Sequence, residues 1–217
     1  MAVKVISLKC PDCSSPLAGF EKDEIFFCPL CRTGWEPAAQ QKKVPLKVSY
    51  ARAQKVPEKF ERSFYLPFYL YRLSVYADSE SASSPRVMEL LQRMTRVFVP
   101  AYRMIRESYY GELGLLYTEV GVVLEDDPDV SEQERKRIGS AIRSREETAP
   151  YLYYYPLLII DKRLDVTDSD YKMNPVFDQI WAVPFFDLGE FIQEGILGKT
   201  FPSIILDTIS DFRAVNY

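Results

Sequence analysis

The four cysteines of this chain all lie within its first 31 residues, as two C-x2-C pairs: Cys10 with Cys13, and Cys28 with Cys31. Each pair can fold into a tight turn, called a knuckle here, that directs two thiolates at one ion. The 14 residues between the pairs suffice for a hairpin that places one pair opposite the other. Four thiolates at this spacing are typical of tetrahedral Zn²⁺. The sequence therefore predicts a structural zinc site, with iron as the less favoured metal.

The residues around the cysteines extend this pattern. Residues 8–17 have the form of a first knuckle, and residues 25–35 that of a strand entering a second. Residues 1–36, about a sixth of the chain, thus resemble the zinc-ribbon (rubredoxin-like) superfamily. Small residues after a knuckle let backbone N–H groups turn toward the thiolates. Ser14 and Thr33-Gly34 meet this need, although families of this kind often have glycine where Ser14 stands.

Three roles are open to such a site. Zinc can act as a folding staple, because 36 residues alone bury too little apolar surface for a stable core. Iron in the same four ligands would carry electrons, as in rubredoxin. Catalytic zinc is disfavoured, because four thiolates leave no open position for water and the chain contains no histidine. The staple is the expected role.

Composition limits the remaining choices. With 217 residues, of which 47% are hydrophobic and 14% aromatic, the chain can build a sizeable core. A formal charge of −4 disfavours general nucleic-acid binding. The sequence contains no transmembrane segment of about 18 apolar residues, and residues 1–8 do not resemble a secretion signal. We expect a cytoplasmic protein, since cysteines at metal spacing fit a reducing compartment.

Residues 37–57 carry basic side chains and no acidic ones. They predict a basic linker, or, because residues 44–50 alternate between apolar and polar or small types, a strand that docks the zinc ribbon onto the next domain. The basic side chains could attract an acidic protein surface, a phospholipid headgroup or RNA, or could simply keep a linker solvated. These candidate partner-binding residues are Lys42, Lys43, Lys47, Arg52 and Lys55.

Residues 58–217 predict an α+β domain, with four aromatic segments that each contain a proline and are interpreted as strands. We expect helices after the second and fourth segments, so the order suggests two related halves, about 58–125 and 149–217. A chance match among the many aromatic and proline residues is the alternative. Because proline lacks a backbone donor, these strands are expected at edges, bulges or ends. The segments are 64–69, 97–102, 153–158 and 181–186.

Two further helices and two loops are predicted. Ser84-Pro85 begins a helix over 85–95 that should pack on a sheet, and the capping-box pattern at Ser131 begins a surface helix to about residue 147. Residues 79–84 and the acidic run 125–129 are expected to be exposed loops, and the acidic run lacks the pattern of a calcium loop.

No catalytic constellation is recognisable, so we expect no enzyme activity. The leading hypothesis is a non-catalytic zinc-binding adaptor or accessory subunit that engages a larger protein assembly. Alternating tyrosines such as Tyr69 and Tyr71 could contribute to its partner surface, or could fill the core. The alternatives are nucleic-acid or transcription-associated binding through the zinc ribbon and the basic segment, and rubredoxin-like electron transfer.

Overall fold

The computed structural model describes residues 9–19, 22–37, 43–77, 85–102, 107–162 and 171–206, which form an α+β protein. None of the helices in these ranges is long and apolar enough to cross a membrane. The strands are β1 (Phe26–Cys28), β2 (Thr33–Pro37), β3 (Lys43–Tyr50), β4 (Arg62–Ala77), β5 (Arg96–Pro100), β6 (Tyr171–Asp187), β7 (Phe191–Glu194) and β8 (Thr200–Pro202). The helices are α1 (Pro85–Arg93), α2 (Glu107–Val120), α3 (Glu132–Arg135), α4 (Arg145–Thr148) and α5 (Tyr151–Asp161).

One mixed sheet contains all eight strands, in the order β1-β2-β3-β6-β4-β5, with β7 and β8 continuing from the end of β6. Its centre is the long antiparallel pair of β4 and β6, which runs from Arg62 opposite Asp187 to Ala77 opposite Tyr171. Strand β3 pairs with β6 in parallel, and every other pairing is antiparallel. The central pair therefore holds the N-terminal strands on one side and β5 on the other.

The central part of the sheet is buried on both faces, which explains why the middle of β4 is a nearly continuous aromatic and aliphatic run. On the α2 side of the sheet, Phe68 packs edge-on against Tyr102 and at a tilt against Tyr117 of α2. On the α5 side, Tyr69 and Tyr71 lie in a second core with Leu152 of α5. Alternate residues of one strand thus serve two different cores.

Prolines occur inside both central strands, contrary to the expectation that they mark edges or ends. The carbonyl of Pro67 accepts the Ala101 N–H (3.0 Å), so its backbone faces the β5 side, just where the β5 pairing stops. The carbonyl of Pro184 accepts the Gly195 N–H (2.8 Å), in the gap along β6 between its pairings with β3 and β7. Each proline therefore occupies a position where no ladder donor is required.

The predicted internal repeat does not extend to the secondary structure. Segments 64–69 and 181–186 lie in strands, and 97–102 does so up to Pro100. Segment 153–158 lies within helix α5, so the strand prediction there is wrong. The helix predicted after Pro184 is also wrong, because β6 continues to Asp187 and the chain then forms β7. A short apolar run cannot be assigned to helix or strand from its pattern alone, and here packing on two other helices decided it. This difference removes the support for two related halves.

The helix predicted from Ser131 to residue 147 is divided into α3 and α4. Ser131 forms the predicted capping box with Glu134, and Ser144 forms a second with Glu147. Between them the chain leaves the helix, because the Tyr65 N–H donates to the Arg137 carbonyl and the Gly139 N–H donates to the Tyr65 carbonyl. The backbone of β4 at Tyr65 thus forms hydrogen bonds with groups that would pair with each other in a continuous helix. The predicted helix over 85–95 is confirmed as α1, which ends at Arg93 and packs against β4 and α5. The predicted loop 79–84, with Ser84, lies outside the described residues.

Glu194, the last residue of β7, is fully buried and organises the turn into β8. Its carboxyl group accepts four hydrogen bonds, from Tyr117 Oη (2.6 Å) and from the backbone N–H groups of Ile196, Leu197 and Lys199 (2.8–2.9 Å). Burial beside this carboxyl raises the pKa of Tyr117 well above its usual range, so the phenol keeps its proton and donates.

We predict that Glu194→Gln lowers the free energy of unfolding by about 2–5 kcal/mol, because an amide nitrogen would face N–H donors inside the core. Tyr117→Phe removes one donor and leaves the three backbone bonds intact, so it should cost about 1–3 kcal/mol. Urea unfolding of the two variants checks both values. A Glu194→Gln protein as stable as the wild type would contradict this account.

Candidate metal centre

The two cysteine pairs form equivalent knuckles. In the first, the Ser14 N–H donates to the Cys10 carbonyl (2.9 Å), and in the second, the Arg32 N–H donates to the Cys28 carbonyl (3.1 Å). The residue after each pair has a left-handed backbone, with φ of 62° at Ser14 and 53° at Arg32. Glycine adopts this region at no steric cost, which explains the physical preference for glycine at such a position. This chain accepts a serine and an arginine there.

The knuckles bring the four sulfur atoms of Cys10, Cys13, Cys28 and Cys31 to within 4.8 Å of one another. The separation is 3.5 Å between Cys13 and Cys28 and 3.9 Å between Cys10 and Cys31. Four sulfurs placed tetrahedrally about 2.3 Å from a zinc ion would lie about 3.8 Å apart. The four cysteines could therefore hold a metal ion, and their arrangement is compatible with a zinc-ribbon-like site.

The four thiols have unequal surroundings. Hydrogen bonds from the side chain and backbone of Ser15 lower the pKa of Cys13 to about 6. Burial raises the pKa of Cys28, and a hydrogen bond with Cys13 is the main cause that raises the pKa of Cys31. The Cys31 N–H also donates to the Cys28 sulfur (3.4 Å), as expected of a backbone donor that stabilises a thiolate ligand. A divalent cation would bind all four groups as thiolates and displace the remaining protons.

Trp35 forms the apolar wall of this centre. It lies on β2, is buried, and packs with Cys10 and Cys28, with Leu17 and Cys31 partly buried around them. The hairpin of β1 and β2 carries the second knuckle, and reciprocal backbone hydrogen bonds between Ala18 and Phe27 fasten the first knuckle to β1. We refer to the described residues 9–37 as the four-cysteine unit.

Strand β3 joins the four-cysteine unit to the rest of the sheet. It pairs with β2 along Lys43–Lys47 and then with β6 along Val48–Tyr50. Of the two alternatives for residues 37–57, a linker or a docking strand, the described part of the segment thus contains the strand. The unit is consequently part of one hydrogen-bonded sheet.

Arg32 fixes the second knuckle to the loop after α2. Its guanidinium donates to both carboxylate oxygens of Asp126 (3.0 and 3.1 Å) and to the Asp127 carbonyl (2.9 Å), and it lies over the Tyr50 ring. Asp126 also accepts the Tyr50 N–H (3.0 Å). Residues 125–129 lie outside the helices and strands, and Asp126 is exposed, as predicted. Its carboxylate is nevertheless engaged by Arg32 and by the Tyr50 N–H. Sequence alone offered no signal for the pair, which joins residues 94 positions apart.

A second ion pair connects the unit to α4. Arg145 donates to Glu36 of β2, and its guanidinium lies 5.0 Å from the ring centroid of Phe177. The Glu36 carboxylate raises the pKa of Arg145. The two ion pairs involve neighbouring parts of the unit, because Arg32 precedes β2 and Glu36 lies near its end. They hold β2 at both ends.

The structure disperses the basic residues of the proposed partner surface. Lys42 lies outside the described residues, and Lys43 donates from Nζ to the Lys9 carbonyl (3.1 Å). Lys47 is exposed on β3, whereas Arg52 and Lys55 are exposed beyond its end. At about 3.3 Å per residue, β3 separates Lys43 from its last residue by about 23 Å. The described members of the set therefore lie along β3 and in the segment that follows it.

Tyr69 and Tyr71 do not belong to a partner surface in this structure. Both are buried on the α5 side of the sheet, and Tyr69 donates from Oη to the Arg143 carbonyl (2.6 Å). Desolvation raises the pKa of Tyr71. Their assignment as partner-binding residues is therefore wrong, because the covering segments 130–152 make this face a core. The alternative reading, core filling, applies to both.

Within the described ranges, the four cysteines are the only cluster of three or more His, Cys, Asp or Glu side chains that could hold a metal ion. Comparison of the chain with protein-family models, curated proteins and solved structures gives no match.

We predict that Cys28→Ser weakens zinc binding by more than about 100-fold, because it removes a ligand, and second-shell changes alone cost 10- to 100-fold. The mutant should also lose hydrogen-exchange protection at Ala18 and Phe27, which depend on the knuckles, while the β4–β6 pair stays protected. Leu30→Ala, an exposed non-ligand within the same knuckle, is the matched control and should keep its metal. Equal zinc content in both variants, measured by elemental analysis, would exclude this ligand set.

Proposed function

We propose that this protein is a non-catalytic accessory protein whose four-cysteine unit is stabilised by Zn²⁺ and whose outer α5 surface binds a partner protein. The outer α5 surface is defined by Tyr153, Tyr154 and Leu157. The composition of α5 is the observation that carries this proposal.

Helix α5 has no charged residue from Tyr151 to Ile160. One side is buried against the sheet and α1, whereas Tyr153, Tyr154 and Leu157 on the other side are 45%, 53% and 39% exposed. A helix that is apolar all round is normally buried all round. Tyrosine is also enriched at protein interfaces, where a rigid ring with a polar end supplies much contact area. The outer α5 surface is thus suited to be covered by another protein.

The chemistry of the metal centre supports a structural role. Four thiolates fill a tetrahedral shell and leave no position at which a zinc ion could activate water. The chain contains no histidine that could act as a base beside it. Strand β3 and the two ion pairs attach the four-cysteine unit to the rest of the protein. In this proposal the metal keeps β1 and β2 ordered at the margin of the sheet.

Nucleic-acid or transcription-associated binding receives less support than a protein partner. The chain has a formal charge of −4, and of the described basic residues Lys43 and Lys47 lie on β3, whereas Arg52 and Lys55 lie beyond its end. Phosphate binding is strongest where several cations converge. The outer α5 surface carries no cation at all.

We predict that Tyr154→Glu lowers recovery of the specific partner from the native cell by about tenfold or more, because it places a charge in an apolar interface. Tyr76→Glu, at a tyrosine of similar exposure on β4, is the matched control and should leave recovery unchanged. Quantitative affinity capture measures recovery, and thermal unfolding checks that both variants stay folded. The same partners in the same amounts with both variants would overturn the proposal.

The identity of the metal separates this proposal from rubredoxin-like electron transfer. Protein purified without added metal should be colourless and contain zinc, because Zn²⁺ has a filled d shell and no redox chemistry. A red protein containing iron in the four-cysteine site would favour the electron-transfer alternative.

A further inference from the structure

A concave site lies on the α2 side of the sheet, beyond the part that α2 covers. Its volume is about 380 Å³, within the range of small-molecule sites. The site is built across the three adjacent strands β6, β4 and β5. Its principal lining residues are Leu70, Arg72, Arg96, Phe98, Gln179 and Trp181.

Two arginines from adjacent strands lie side by side in this site. Arg72 of β4 and Arg96 of β5 are directly opposite in the antiparallel register, so their side chains leave the sheet on the same side. Like charges in directly opposite positions destabilise a strand pair. Proteins keep such a destabilising pair of charges mainly at functional sites.

A single carboxylate accompanies the two guanidinium groups. Asp178 is an extra residue of β6 at the register shift opposite Leu70 and Tyr71, and this bulge leaves it beside Arg72, which donates to it at 2.7 Å. Among the described residues Arg96 has no acidic partner. One positive charge of the site is therefore uncompensated, and it lies where a guanidinium can bind an oxyanion with two parallel hydrogen bonds.

The floor of the site is aromatic and contains a buried donor without a partner among the described residues. Trp181 is 7% exposed, and its indole N–H has no hydrogen-bond partner in the described part of the chain. Gln179 is buried beside it, and its side-chain oxygen accepts from Ser49 Oγ (3.4 Å). A buried donor without a partner carries a desolvation penalty that a ligand acceptor or an ordered water can relieve.

From this geometry we infer that the site binds a small organic anion whose carboxylate or phosphate group contacts Arg96 and Arg72. The apolar part of the ligand lies against Phe98 and Trp181. Both features are needed, because the guanidinium groups select the oxyanion and the aromatic floor selects what is attached to it. This site is separate from the metal centre and from the outer α5 surface.

The test uses the zinc-loaded full chain labelled with ¹⁵N, because its only two tryptophans, Trp35 and Trp181, give two resolvable indole signals. The probes are benzoate, phenyl phosphate and inorganic phosphate. We expect the Trp181 signal to shift saturably with at least one aromatic probe, at a concentration about tenfold lower than with inorganic phosphate, while the Trp35 signal stays in place. Benzoate and phenyl phosphate distinguish the two oxyanions.

Arg96→Gln should weaken binding of the active probe about tenfold or more, and Arg86→Gln, an exposed arginine of α1 outside the site, should not change it. Without a probe, Arg96→Gln should unfold about 1–3 °C higher than the wild type, because it removes the repulsion between opposite arginines. The inference is overturned if no probe shifts Trp181, if inorganic phosphate binds as tightly as both aromatic probes, or if Arg96→Gln leaves the shift intact. It is also overturned if only a single-stranded oligonucleotide binds here.

Discussion

Strand β3 is the constraint on which the rest of this structure depends. Its first half pairs with β2 and its last three residues pair with β6, so that one strand belongs to both the four-cysteine unit and the central sheet. A small unit with a metal at its centre has little apolar surface of its own. Here its hydrogen-bonded edge is completed by a strand whose other end is buried in the main core. The ion pairs Arg32–Asp126 and Arg145–Glu36 add side-chain contacts to this backbone arrangement.

The burial of both sheet faces has consequences for the surface. Because β4 and β6 direct alternate residues into two cores, most of the large aromatic side chains on these strands are buried. Helix α5 differs in that three large apolar residues, Tyr153, Tyr154 and Leu157, remain exposed on a helix without a charged residue from Tyr151 to Ile160. An excess of this kind is more informative than the total aromatic content, because it identifies which surface remains to be covered.

The proposed activities are therefore assigned to three separate parts of the molecule. In these proposals the four cysteines stabilise their unit through a metal, the outer α5 surface binds a protein, and the paired arginines bind a small anion. Each depends on a different physical term: metal–thiolate bonding, burial of apolar area and uncompensated charge. At the arginine pair, the charge of the two guanidinium groups is opposite in sign to the formal charge of −4 of the whole chain.

Several features follow from the sequence alone because they depend on neighbouring residues. The C-x2-C spacing predicts the four-cysteine cluster, the alternation of residues 44–50 indicates a strand as one of two alternatives, and Ser131 with Glu134 predicts a capping box. Each of these signals acts within a few residues, where the chain determines its own geometry. Only the tertiary structure decided that residues 153–158 form a helix, that 137–139 extend the edge of β4, and that Tyr69 and Tyr71 are core residues. It also brought Arg32 to Asp126 and Arg72 to Arg96, because such contacts join distant residues through a packing and register that no local pattern specifies.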